Sequence, residues 1–399
     1  MLEFRSASVR MANPLRAIDE LLDACGCSEA GDCDLVIVNA SIGHSLDTLV
    51  ERVRRLCRDA VVVGGSCAGI VGSEGVSETL KDVALMTVTG QDFAEAHIDG
   101  ISGHNSLEKA EELARTLHAK DPAISIVYLL LSGIDVANDD IILGFERVFG
   151  SDIKLFGATT SDNMRGIKSF QAVNELLFED GAVAVGFSDA SLEIDTRSTH
   201  GFKAVGEPMT VTAAEGNRLI SLDDEPAWPR YLQRLGLPAE AAIEDVIPIG
   251  AMAQEISPEA GRSFGNSHKL GLVNRVEGDG VIVYPTRIEP GMKLWITERD
   301  EDRIFSDLER MTVEMQEFAA GRKAVAIFQA DCLARGRRLF NRIMKEKLVE
   351  RMQYPFRDSE GAPPWLGMYG FGEYGQLLGR NTFHNYTTTL TALYRKTEH

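Results

Sequence analysis

A succession of short apolar runs, each closing on small residues, constrains the fold of this chain more than any other feature. LVIVNAS (Leu35–Ser41) is followed by helical spacing at Leu46, Leu49, Val50, Val53 and Leu56. AVVVGGSCAG (Ala60–Gly69) and VALMTV (Val83–Val88) come next, then a helix over Ser106–Ala119 with apolar positions Leu107, Ala110, Leu113, Ala114 and Leu117. ISIVYLLLSG (Ile124–Gly133), a helix near Asp139–Phe149, and KLFGATTSD (Lys154–Asp162) continue the alternation. Runs this apolar are buried on both faces, so the pattern predicts an α/β protein with mixed sheets covered by helices. The small residues at the strand ends (Asn39-Ala40-Ser41, Gly64-Gly65-Ser66, Ser132-Gly133, Gly157-Ala158-Thr159) allow tight turns and close approach of a ligand to the backbone. AVNELLFEDG and AVAVGF, joined through Glu179-Asp180-Gly181, predict a hairpin.

Acidic residues with Pro226 and Pro229 interrupt the pattern at Ser221–Leu237, which marks a joint and predicts two α/β domains. Beyond it the spacing predicts strands, a long helix over Asp302–Ala320, a strand in AVAIFQADC and a helix from Gly336 to Met352. No repeat of fixed period is visible. The net charge of −19 excludes a phosphate-backbone partner. The one basic cluster, Arg335, Arg337, Arg338, Arg342, Lys345 and Lys347, is expected on a solvated helix face. No run reaches the ~20 apolar residues of a membrane span, and the N-terminus lacks a secretory core, so a cytoplasmic protein is expected.

Familiar chemical signatures fail on context. Gly370, Gly372 and Gly375 spell G-x-G-x-x-G, but the following residues carry no helical spacing and too little chain remains for a dinucleotide unit. Gly64-Gly65-Ser66-Cys67-Ala68 approximates a nucleophile elbow, which makes a hydrolase using Ser66 the alternative of another class. Cys25, Cys27 and Cys33 lack zinc spacing, and no histidine pair has metal-ligand spacing, so no metal is expected. One axial haem ligand needs no pattern, which leaves His200, His268 and His384 open. A denser polar group lies in Gly367–Tyr386, where Glu373, Arg380, Asn381, His384 and Asn385 sit among glycines and aromatics. An arginine fork suits a carboxylate and a glutamate suits an amine.

Five stretches carry a family resemblance: VVVGGSCAGIVG (Val61–Gly72), LFGATTSDN with the following SFQ (Leu155–Gln171), THGFKAVGEPMTVTAAEGNRLISLDDEPA (Thr199–Ala227), FQADCLARG (Phe328–Gly336) and FGEYGQLLGRNTFHNYTTTLTAL (Phe371–Leu393). In this order they resemble the FIST family, a sensory module with an N-terminal and a C-terminal FIST domain. The resemblance implies a FIST N-terminal-like domain over 31–222 and a C-terminal-like domain over 223–399, after an extension over 1–30. It implies a non-catalytic sensor of an amino acid or similar small carboxylate, with a haem-binding nitric-oxide sensor as the alternative. The FIST-like parts fill the chain, so its output would pass to a separate partner such as a histidine kinase or cyclic-dinucleotide enzyme. Where family members resemble Cys-Ala-Gly-Arg-Gly, this chain has Cys332-Leu333-Ala334-Arg335-Gly336. The expected ligand site comprises Arg380 for an anion, Glu373 for a cation, Cys332, Arg335 and Gly336 as a second wall, and Asn381 with His384.

Overall fold

In the computed structural model, which describes residues 1–27, 29–275, 280–336 and 342–397, one topological unit occurs three times. The first unit runs β1 (Glu3–Arg10), α1 (Pro14–Ala24), β2 (Leu35–Ser41), α2 (Leu46–Leu56) and β3 (Val61–Cys67). It continues through a hairpin, β4 (Ile70–Gly72) and β5 (Gly75–Ser77), to β6 (Asp82–Thr89). The second repeats this order as β7 (Phe93–Ile98), α3 (Ser106–Lys120), β8 (Ile126–Leu131), α4 (Asn138–Phe149) and β9 (Lys154–Thr159). Its hairpin is β10 (Gln171–Val173) and β11 (Leu176–Phe178), and its last strand is β12 (Ala182–Phe187).

The third unit opens with β13 (Leu192–Thr199) and is then interrupted by an insert over Phe202–Arg299. The insert holds β14 (Phe202–Glu215), β15 (Arg218–Leu222), β16 (Glu225–Pro226), α5 (Ala227–Leu235), α6 (Ile243–Val246) and β17 (Met252–Glu255). It ends with α7 (Pro258–Phe264), β18 (His268–Gly271), β19 (Asn274–Arg275), β20 (Ile282–Val283) and β21 (Lys293–Arg299). The unit resumes with α8 (Glu301–Ala319), β22 (Ala324–Cys332), α9 (Arg342–Gln353) and β23 (Trp365–Gly370). The hairpin β24 (Gly372–Leu377) and β25 (Arg380–His384) precedes β26 (Thr388–Arg395).

Each unit pairs two strands in parallel, β2 with β3, β8 with β9 and β22 with β23, across a helical crossover. Its last strand returns antiparallel between that pair and the unit's first strand. Each hairpin then leaves its own unit: β4 pairs with β23, β10 with β3, and β24 with β9. Three six-stranded sheets are thereby linked in a ring. Their inner faces meet in one core containing Ile37, Met86, Tyr128, Phe156, Phe328 and Met368. Alternate residues face the helices, so Val36 and Val38 pack under α1 and α2 while Val127, Leu129 and Leu131 pack under α3 and α4. The insert's sheet has a core of its own, built on Met209, Trp228, Tyr231 and Leu294.

The α/β architecture with helix-covered mixed sheets is as expected, and the two halves of the chain interlock within it. Strand β13 pairs with β26 over its whole length, and β24 extends the sheet of β9. Residues 1–30, expected as an extension, supply β1 and α1 of the first unit. The expected joint at Ser221–Leu237 lies inside the insert, as strand and helix. The hairpin expected at Glu179–Gly181 is not one: β11 and β12, on either side of it, belong to different sheets. The hairpin turn falls instead at Asn174-Glu175, with Asn174 at φ 51° and Val173 paired to Leu176. Asparagine tolerates that left-handed conformation, and the tight turn leaves Glu179–Gly181 to carry the chain between sheets.

Candidate functional site

The sequence-predicted residues Cys332, Arg335, Gly336, Glu373 and His384 are all buried around the carboxyl end of β22. Alternation along β22 puts Phe328 and Ala330 into the central core and Gln329 and Asp331 on the helix-covered face. The strand stops at Cys332, and a turn of 3-10 helix over Leu333–Arg335 swings the arginine back over Asp331. The Arg335 Nε lies 3.4 Å from Asp331 Oδ1, with both side chains fully buried, and Arg335 Nη1 donates to the His200 carbonyl at 2.7 Å. Asp331 Oδ2 accepts from Thr388 Oγ1 at 3.0 Å, Lys345 Nζ at 3.2 Å and Gln329 Nε2 at 3.3 Å. Lys345, from α9, also donates to the Arg335 carbonyl and stands 4.5 Å over the Tyr369 ring.

The hairpin β24–β25 supplies the remaining residues, with Glu373 and His384 directly paired across it. Glu373 Oε2 accepts from Thr387 Oγ1 at 2.7 Å and from the Thr387 N–H at 3.3 Å. Burial raises the Glu373 carboxyl well above its usual range, and nearby Asp331 adds to the effect. His384 packs at 5.4 Å against Phe264 of the insert, and burial pushes its imidazole down to about 3. Among the described residues several buried atoms here have no hydrogen-bond partner: Arg335 Nη2, Glu373 Oε1 and both ring nitrogens of His384, while Arg335 Nε and Asp331 Oδ1 meet only as an ion pair. Leaving such groups without partners is costly, so their concentration at one place sets this part of the core apart from the rest. A cleft of about 260 Å³ between Ser77–Thr79 and α9 reaches Lys345.

Two expected members do not join this cluster. Arg380 is exposed at the turn end of β25, four residues from His384, or about 13 Å at ~3.4 Å per residue. Asn381 serves the fold: its Oδ1 accepts from the Leu155 N–H at 2.9 Å, and its Nδ2 donates to Ile153 O and Glu146 Oε1, each at 2.9 Å. Replacing Asn381 with alanine should therefore cost about 1–3 kcal/mol in urea unfolding and leave ligand binding unchanged.

The solvated-helix reading of the basic cluster is corrected too. Arg335 is fully buried and Lys345 nearly so, whereas Lys347 is exposed; Arg337, Arg338 and the Arg342 side chain lie outside the described residues. Asp331, Lys345 and Thr387 were missed, although an aspartate in an otherwise apolar strand was a signal.

The alternatives fare differently. The Ser66 hydroxyl donates to Ser161 O and accepts from the Phe170 N–H, each at 2.9 Å, which pins the serine between strands. His200 uses both nitrogens, accepting from the Phe202 N–H at Nδ1 and donating to His268 O from Nε2. The glycines of the false nucleotide motif lie on β23 and β24, strand followed by strand. A Cβ at Gly372 would come within 2.1 Å of the Phe383 ring, so close packing accounts for that glycine.

Two family models match in succession, the FIST N domain over residues 34–225 and the FIST C domain over 227–376. The chain belongs to the FIST family, whose domains are sensory, small-ligand-binding modules of signalling proteins. An uncharacterized protein of Mycobacterium tuberculosis is 23% identical over 347 residues, 86% of each chain. Another from Mycobacterium bovis is 25% identical over 195 residues, 48% of each. Among solved structures, a cyanuric acid hydrolase from A. caulinodans aligns over 100% of both chains with a TM-score of 0.36 and 10% identity. A chorismatase aligns over 99% of both with a TM-score of 0.35 and 9% identity. Likenesses this slight say nothing about chemistry.

Proposed function

We propose that the protein is a non-catalytic receptor for an amino acid or a similar small carboxylate, held at the carboxyl end of β22. The observation that supports this reading is the set of buried polar atoms on Arg335, Glu373 and His384 that have no partner among the described residues. Their chemistry is complementary to a zwitterion. Arg335 Nη2 is a donor for a carboxylate, while Glu373 Oε1 is an acceptor for an ammonium group. Cys332 forms part of the wall: its thiol is fully buried, and burial raises it well above the usual thiol range, which suits packing and not nucleophilic attack.

Ligand-dependent ordering of this cluster would be read by a signalling partner, such as a histidine kinase or cyclic-dinucleotide enzyme. Among the described residues no helix is long and apolar enough to cross a membrane. All six cysteines are unpaired, which fits a reducing cytoplasm.

A thermal-shift screen over amino acids and small dicarboxylates tests the reading. At about a hundredfold excess over Kd a ligand adds roughly 2.7 kcal/mol, which should raise Tm by several degrees. Folded protein whose Tm is moved by none of them would overturn it.

A further inference from the structure

A separate cleft of about 250 Å³ opens where the insert meets the third unit, between β13, the end of α7, α8 and the turn of the β24–β25 hairpin. Asp195 and Arg197, two residues apart on β13, share a strand face. Arg197 Nε donates to Asp195 Oδ1 at 3.1 Å, and its Nη1 donates to Glu314 Oε2 of α8 at 2.8 Å. One turn earlier on α8, Arg310 donates from Nη1 to Glu314 Oε1 at 2.6 Å and from Nη2 to Phe264 O at 2.9 Å. Gly265, at φ 73°, ends α7 and leaves no room for a Cβ beside that guanidinium, so the arginine is seated against the helix end. The hairpin turns at Leu378 and Gly379, with φ 53° and 74°. Asn381, the cross-strand partner of Gln376, ties this end of the hairpin to β9 and α4.

Two donors of the cleft are left over. Among the described residues, Arg310 Nε and Gln376 Nε2 are buried without a hydrogen-bond partner. The acids of the cleft are already engaged, Asp195 by Arg197 and Glu314 by both arginines. The lining also has an apolar part, made by Phe264, Met311, Leu377 and Leu378.

We propose that this cleft is a second binding site, for a short aliphatic carboxylate whose head accepts from Arg310 and Gln376 and whose alkyl tail lies on the apolar wall. A carboxylate offers several lone pairs and accepts from guanidinium and amide N–H groups together. An alkylammonium ion carries donors alone and leaves both N–H groups unanswered. A phosphate dianion would bring two charges to arginines that each already face an acid. The cleft shares no lining residue with the ligand cluster, although Phe264 packs against His384 and so forms a wall common to both.

Ligand-observed NMR on the full chain with butyrate tests this. Saturation transfer to butyrate is expected, with none to butylamine, and acetate should bind more weakly than butyrate because it buries less chain. Arg310→Gln should raise the butyrate Kd roughly tenfold or more, and Gln376→Leu, which keeps every ion pair of the cleft, roughly fivefold. Glu373→Gln, which alters the ligand cluster, should bind butyrate as the wild type does. Absence of transfer to butyrate in the wild type, equal binding of butylamine, or an unchanged Kd in folded Gln376→Leu and Arg310→Gln would overturn the assignment. Butyrate binding lost in Glu373→Gln would overturn it too, by moving the carboxylate to the ligand cluster.

Discussion

Asp331→Ala is expected to lower the free energy of unfolding by about 3–5 kcal/mol, the range for breaking a buried ion pair by removing one partner. The carboxylate is fully buried and serves four neighbours, Arg335, Lys345, Thr388 and Gln329. Its loss deprives two buried cations of their shared anion, in surroundings where water cannot replace it. Lys345, already lowered by burial and held up in part by Asp331, then shifts further toward its neutral form. Asp331→Asn keeps the shape and an acceptor for Thr388, so it should cost less than alanine. Urea unfolding of both variants measures this, and a cost below about 1 kcal/mol for alanine would show that the cluster is not an ionic keystone.

The second large effect is on acid stability. His200 and His384 are buried and held neutral, each pushed from 6.5 down to about 3 by loss of hydration. A base with a depressed folded pKa binds fewer protons in the folded state. Its contribution is therefore complete above pH 6.5 and is lost as pH falls from there toward 3, by about 1.4 kcal/mol per unit for each histidine. Two buried carboxyls pull the other way. Glu373 is raised, and Asp195 reaches about 6, so their contributions fade as pH rises through those raised values.

The difference between wild type and His384→Phe isolates one histidine from this mixture. Phenylalanine keeps the ring against Phe264 and has nothing to protonate. The variant should gain on the wild type as pH drops below 6.5, by about 3 kcal/mol at pH 4.5. A difference that stays flat from pH 7.5 to 4.5 would mean that His384 takes up its proton as readily in the folded protein as in the unfolded chain.

How much of this was legible beforehand depended on the range of the interaction. The strands and helices were, because Leu35–Ser41 or Ile126–Leu131 are apolar on both faces wherever they pack. The ring of sheets was not, because each hairpin pairs with a strand of another unit and short-range spacing carries no record of that choice. Gln171–Val173 illustrates this: its partner β3 lies about a hundred residues earlier, and the nearby Glu179-Asp180-Gly181 offered a more familiar turn.

Cys332 and Arg335 were expected through the family resemblance, Glu373 and His384 through the polar group in Gly367–Tyr386, and the fold brings these four side chains together at the carboxyl end of β22. Arg380 and Asn381 were included because they are close in sequence, but an extended strand carries neighbours away at ~3.4 Å per residue. Lys345 was missed because a charged residue on a helix usually faces water, and buried partners such as Asp331, the Arg335 carbonyl and the Tyr369 ring turn that preference around.

In the proposed receptor Arg335 and Glu373 hold the two ends of a small zwitterion. Burial raises the Glu373 carboxyl well above its usual range, and an arriving ammonium group favours its charged form, so binding should release protons. Isothermal titration of the best ligand from the thermal screen, in two buffers of different ionisation heat, measures this directly. The prediction is proton release with the wild type and with Arg380→Ala, which should bind alike. Glu373→Gln, which keeps the shape and cannot ionise, should fold normally, bind roughly tenfold or more weakly, and release no proton. Equal affinity and equal proton release in the wild type and Glu373→Gln, or binding lost in Arg380→Ala alone, would contradict the claim.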